Sequence, residues 1–213
     1  MKEELLSQIS EFLQKGRAKN VTALVQQAID EGVPATEILE KGLLDGMSII
    51  GEKFKNNEVY VPEVLIAARA MNAGTTLLKP HLSSSGFKAA GKAVIGTVKG
   101  DLHDIGKNLV RMMMEGKGLE VIDLGTDVAP EKFIEAAKNE NAQIIALSAL
   151  LTTTMTEMKN VVEAAKEAGI RDQVTIMVGG APITQSFCDS IGADIYTVDA
   201  ASAADAAVAA LTA

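Results

Sequence analysis

The stretch AVIGTVKGDLHDIGKNLV, residues 93 to 110, decides how the C-terminal half of the chain folds. It opens on an apolar, β-branched run from Ala93 to Val98, crosses a loop between Gly100 and Gly106, and continues in a helical pattern. A short apolar run leading into an amphipathic helix is the repeating unit of a parallel sheet, whose strands must be joined by crossovers. The loop also holds His103, one of two histidines in the chain, between Asp101 and Asp104.

The same grammar recurs downstream. Leu119 to Leu124, Ile144 to Ser148, Val174 to Val178 and Ile195 to Val198 are further apolar runs, each followed by a helix-like segment. Five such units predict a doubly wound, Rossmann-like (flavodoxin-like) parallel α/β domain over residues 87–213, covered by helices on both faces. Upstream the period is helical. Ile9, Phe12 and Leu13 mark one apolar face, and Val21, Leu24, Val25, Ala28 and Ile29 a second. Leu43, Leu44, Met47, Ile50 and Phe54 mark a third, and Val64, Leu65, Ala68, Met71 and Leu78 a fourth. Gly32 suits the end of the second helix, and Pro34 and Pro62 the first turns of the third and fourth. These segments predict a four-helix bundle over residues 1–86. Pro80 is expected to stop its last helix, and Ser83 to Gly86 to form a flexible connector. The fold class is thus α + α/β.

Bulk properties exclude several functions. A formal charge of −8 and a pI near 4.9, with no run of Lys or Arg, disfavour nucleic acid and anionic membranes. The N-terminus shows no charged-then-apolar leader and no apolar stretch is long enough to cross a bilayer, so the expected compartment is the cytoplasm. The lone Cys188 cannot form an internal disulfide and reads as a small core residue. Met112, Met113 and Met114 read as gap-filling core and interface residues, the C-terminal alanine-rich segment as a closing helix, and His81 as an exposed residue without a role.

In a flavodoxin-like strand order a crevice opens beyond the carboxyl ends of the first and third strands. The loop with His103 follows the first; Ser148-Ala149-Leu150-Leu151-Thr152-Thr153-Thr154 follows the third; Gly179-Gly180 ends the fourth. A flavin phosphate would be repelled by Asp101 and Asp104. A phosphorelay receiver needs an aspartate where Ser148 stands, and glycines 96, 100 and 106 lack the dinucleotide spacing. A metal ligand fits better, since imidazole binds transition metals and a carboxylate two residues away can hold its other nitrogen. One histidine is too few for a structural zinc site, but it suffices for a metal that brings a macrocycle.

The residues D-x-H-x-x-G (Asp101, His103, Gly106), S-x-L (Ser148, Leu150) and Gly179-Gly180 resemble the signature of cobalamin-binding domains. GTVKGDLHDIGKNLV resembles the corresponding segment of cobalamin-dependent methionine synthase. With a bundle in front, the whole chain is similar to the small corrinoid proteins of methanol, methylamine, glycine-betaine and O-demethylase methyltransferase systems. The resemblance implies His103 as lower axial ligand of cobalt, Asp101 as its hydrogen-bond partner and Thr154 as the hydroxyl completing that relay. It implies Ser148, Leu150, Thr152, Gly179 and Gly180 along a slot for the nucleotide tail, with Tyr196 and Ala200 near the nucleotide. Asp104, Ile105 and Gly106 lie within the binding motif; Asp104 has the plainer alternative of capping the helix that begins near Ile105. Tyr60, Val64 and Met71, in EVYVPEVLIAARAMNAG, match the part of the bundle that caps the corrin in the family, with interdomain or bundle-core packing as the alternative.

The implied function is a methyl carrier cycling between cob(I)alamin and methylcobalamin. Its partners would be a substrate:corrinoid methyltransferase, a methyl-acceptor methyltransferase using tetrahydrofolate or a thiol, and a reductive activator. It would be a component of a multi-protein enzyme rather than a complete one. The alternatives are the cobalamin subunit of an adenosylcobalamin mutase, a cobalamin sensor, or a flavodoxin-like domain with another ligand.

Overall fold

The computed structural model describes residues 2–213. The chain divides into two compact units, Met1–Lys88 with Gly116–Gly118, and Ala89–Glu115 with Leu119–Ala213.

The first unit is helical. Helices α1 (Lys2–Gln14) and α2 (Ala18–Asp30) are followed by one turn, α3 (Ala35–Glu37), a π-helical segment (Ile38–Leu44), α4 (Asp45–Lys55) and the long α5 (Val61–Ser84). The third expected helix is therefore composite. Its π segment and α4 lie against α1 because Gly42 and Gly46 let the backbones approach: a Cβ on Gly46 would stand 3.1 Å from the Cα of Ser10. Ile9, Leu13, Val21, Val25, Leu43, Met47, Ile50 and Leu78 are among its buried side chains, whereas Leu65 is exposed.

Pro80 does not stop the last helix. α5 runs through it to Ser84, so Ser83 and Ser84 are helical rather than part of a connector. Proline removes one helical hydrogen bond and crowds the preceding turn. Burial of Leu78 and Leu82 on either side holds that turn in place nonetheless. The serine hydroxyls help, with Ser83 donating to the Lys79 carbonyl at 3.0 Å and Ser84 to His81 at 2.8 Å. The chain leaves the helix at Gly86, whose φ of +72° suits glycine. Pro80→Ala is expected to raise the unfolding free energy by about 1 kcal/mol, checked by urea titration; an unchanged or lower midpoint would contradict this.

The second unit alternates strands and helices: β1 (Lys92–Thr97), α6 (Ile105–Glu115), β2 (Glu120–Asp123), α7 (Pro130–Glu140), β3 (Ile144–Ser148), α8 (Thr156–Glu167), β4 (Thr175–Gly179), α9 (Gln185–Ile191), β5 (Ile195–Tyr196) and α10 (Ala200–Thr212). All five strands are parallel, in the order β2-β1-β3-β4-β5. This is the flavodoxin-like order expected from the sequence. Alternate residues of the inner strands face opposite layers. Val94, Ile145, Leu147, Ile176 and Val178 join a core with Phe133 of α7, Val161 and Val162 of α8 and Cys188 of α9. On the other side α6 packs against α10. Burial pushes the Cys188 thiol pKa up, so it stays a neutral core group.

β5 ends at Tyr196, two residues short of expectation. Among the described residues it pairs only with β4, and Val198 beyond it is exposed, so no burial rewards a longer strand. Asp199 ends the segment by capping α10, its Oδ1 accepting from the Ser202 amide at 2.7 Å.

Candidate functional site

β1 and β3 lie side by side, with Thr97 opposite Ser148, so their following loops emerge together at the carboxyl edge of the sheet. After β1 the chain turns at Gly100, which has φ of +81°. The turn buries Asp101 completely. Its Oδ1 lies 2.7 Å from His103 Nδ1 and also accepts the His103 backbone N–H at 3.1 Å. Its Oδ2 accepts the Thr154 hydroxyl at 2.7 Å and the amides of Leu150 and Leu151 at 2.9 and 3.3 Å. Burial alone would push this carboxyl pKa up. The Leu150 amide, the Thr154 hydroxyl and the two His103 donors outweigh burial and hold it well below the ordinary carboxylate range.

An ionised carboxylate only accepts hydrogen bonds, so Nδ1 of His103 must carry the hydrogen between them. In the neutral ring the lone pair then sits on Nε2. The ring is about half exposed, at 51 % for its side chain. Its carbonyl is fixed by the Thr97 hydroxyl, which donates to it at 2.8 Å. The result is an open imidazole nitrogen with its tautomer and direction set.

The surroundings are apolar where a surface would ordinarily be polar. Leu102 and Ile105 are 73 % and 70 % exposed, and Leu150 and Leu151 are also exposed. Asp104, Gly106 and Thr152 are exposed and Ser148 is partly so. The Asp104 carbonyl accepts from the Asn108 amide at 2.8 Å, opening α6. At the end of β4, a Cβ on Gly179 would meet nothing within 4 Å, whereas one on Gly180 would lie 1.8 Å from the Ala149 carbonyl oxygen. Gly179 thus leaves free space, and Gly180 seats its own backbone against the β3 loop. Tyr196 is half-buried against the core beneath, and Ala200 is buried in the first turn of α10. In the helical unit Tyr60 is exposed, and Val64 and Met71 are buried.

Several participants escape sequence reading. The Leu151 amide and the Thr97 hydroxyl are two. Lys107 is a third: it is almost fully buried, and its ammonium binds both carboxylate oxygens of Asp123 at 2.7 Å and Asn108 Oδ1 at 2.7 Å. Burial by itself raises the Asp123 pKa, but Lys107 and the Gly125 amide bring it below the ordinary value. This pair ties the first turn of α6 to the end of β2. Its signal in the sequence is a lysine on the apolar stripe Lys107, Val110, Met114, where a solvated charge does not belong.

Among the described residues no three His, Cys, Asp or Glu side chains converge as a metal site. His103 offers one nitrogen. That donor suits a metal already equipped with most of its ligands, and the exposed leucines and isoleucine around it suit an apolar ring.

Models of the B12 binding domain match residues 91–209 and residues 5–79. The chain is 46 % identical over 204 residues to the dimethylamine corrinoid protein of Methanosarcina barkeri, covering 95 % of each. It is 44 % identical over 197 residues to trimethylamine corrinoid protein 1 of Methanosarcina acetivorans, covering 92 % of this chain and 91 % of that one. The chain belongs to the small corrinoid proteins of methyltransferase systems.

A chain of the methanol:cobalamin methyltransferase complex of Methanosarcina barkeri superposes on this corrinoid protein with a TM-score of 0.90. The match is 30 % identical and covers 100 % of this chain and 81 % of that one. A cobalamin-binding protein of Desulfitobacterium hafniense superposes with a TM-score of 0.79 at 29 % identity, covering 96 % and 98 %. This corrinoid protein accordingly binds cobalamin. Among its described residues no helix is long and apolar enough to cross a membrane.

Proposed function

We propose that this corrinoid protein carries a methyl group between two methyltransferases, holding cobalamin with the cofactor's own base displaced and His103 in its place. The observation that carries this reading is the Asp101–His103 pair, which leaves Nε2 as an open, pre-aimed donor within exposed apolar side chains. The cobalt would supply the centre that accepts and releases the methyl group.

The protein's own groups do the rest. Asp101 keeps the hydrogen on Nδ1, so Nε2 would offer its lone pair to the metal. The Thr154 hydroxyl and the amides of Leu150 and Leu151 stabilise the ionised form of Asp101, and this keeps the carboxylate from taking the Nδ1 proton itself. Gly179, with free space above it, and Ser148 border the room left for the nucleotide tail.

The partners under this reading are a substrate-specific methyltransferase, an acceptor methyltransferase acting on tetrahydrofolate or a thiol, and a reductive activator. Relatives at 43–46 % identity are named for dimethylamine and trimethylamine, which supports a methylamine as the donor.

The test is reconstitution with hydroxocobalamin. The protein is expected to stay red through desalting, and, when its histidines are labelled with nitrogen-15, its cob(II) form to show the electron paramagnetic splitting of one axial nitrogen-15. His103→Ala is expected to lose that splitting. A colourless wild type, or a variant with unchanged splitting, would sink the proposal.

A further inference from the structure

Asp101 is gripped at two ends. Its carboxylate is held by the β3 loop, as described above. Its backbone is held from the opposite side by Asp127, in the loop that follows β2. The Asp127 amide donates to the Asp101 carbonyl at 2.9 Å, and Asp127 Oδ1 accepts the Gly100 N–H at 2.7 Å. The loop around Asp127 is itself moored to the end of β1: the Thr97 amide donates to Gly125 at 2.9 Å, and the Val128 amide to Thr97 at 3.0 Å.

Asp127 adopts φ of +52°, in the left-handed region. Glycine would take that conformation with least strain, and aspartate is one of the few other residues that tolerate it. A position shaped only by backbone demands would favour glycine. The carboxylate adds the bond to Gly100, the residue whose own left-handed turn delivers Asp101 to His103.

We propose that Asp127 is a positioning residue for His103: by clamping the Gly100–Asp101 turn it fixes the tautomer and direction of the imidazole. Its purpose as a mooring for the cobalt ligand rests on the function proposed above; the effect on the tautomer does not.

The experiment therefore begins without cofactor. Nitrogen-15 labelling of the chain's two histidines reports the protonation of each ring nitrogen, with His103→Gln assigning the signals. Wild type is expected to show one tautomer, hydrogen on Nδ1. Asp127→Gly, which removes the carboxylate and eases the backbone, is expected to show a mixture, with a melting temperature near that of wild type. Asp127→Asn, which keeps an acceptor oxygen, is expected to restore the single tautomer. After reconstitution with hydroxocobalamin, Asp127→Gly is expected to hold the cofactor about fivefold more weakly, the worth of one hydrogen bond. Its cob(II) spectrum should show a reduced nitrogen-split fraction.

A wild-type ring pattern in Asp127→Gly overturns the inference, as does a mixture that Asp127→Asn leaves unrepaired. Failure of the wild type to retain cobalamin would instead sink the function proposed above, and the ring-nitrogen data would still decide the role of Asp127.

Discussion

Asp101→Ala is expected to lower the unfolding free energy by about 3 kcal/mol, a large effect for one side chain. The substitution leaves the Thr154 hydroxyl, the Leu150 and Leu151 amides and both His103 donors without their acceptor. Water can reach some of these groups, which keeps the cost below the sum of separate penalties. Asp101→Asn separates stability from chemistry. Its oxygen can still take the Leu150 amide and the Thr154 hydroxyl, but its amide group then faces His103 Nδ1 as a donor. The ring must answer with a lone pair on Nδ1 and hydrogen on Nε2, the wrong tautomer for a metal. The asparagine protein is thus expected to be more stable than the alanine protein yet, under the function proposed above, to bind cobalt through His103 less well than wild type. An asparagine variant with the axial-nitrogen splitting intact would contradict this account.

The same carboxylate sets a pH dependence. Its folded-state pKa is depressed, so it contributes stability fully above its unfolded value of about 3.9, and that contribution is lost as pH falls through the folded value. Wild type is expected to lose an acid-labile increment below about pH 4 that Asp101→Asn lacks. Urea midpoints measured down the acid range would show the two curves converging.

Gly180→Ala is the second large effect, expected at about 3 kcal/mol or more. The added Cβ would lie 1.8 Å from the Ala149 oxygen, and φ of +133° is foreign to an L side chain. No rotamer relieves a clash made by Cβ itself, so the β3 loop must move. That loop presents the Leu150 amide to Asp101, so the shift reaches His103. Gly179→Ala provides the contrast. Its Cβ meets nothing within 4 Å, and the folded protein is expected to keep nearly wild-type stability while retaining less cobalamin. Equal stability of the two alanine variants in urea would refute the distinction.

Much of the fold was legible because its signals are local. Alternating apolar runs and amphipathic stretches predicted five parallel strands in flavodoxin-like order after a helical bundle, and these are present. Local signals also misled. Pro80 reads as a stop, yet buried Leu78 and Leu82 carry α5 past it. A run of four apolar-compatible residues reads as a full fifth strand, yet an edge with one neighbour supports only Ile195–Tyr196.

The sequence by itself determined that an aspartate and a histidine two residues apart would share a glycine-bounded loop after a strand, because spacing along the chain dictates such proximity. Only the tertiary structure decided which groups stabilise the charge of that aspartate. Thr154 lies 53 residues away, the Leu150 amide 49, and Asp127 holds Gly100 across 27. Lys107 and Asp123 meet by the same route. A buried charge needs partners in space, and parallel strand pairing, rather than any local pattern, brings those partners to one edge of the sheet.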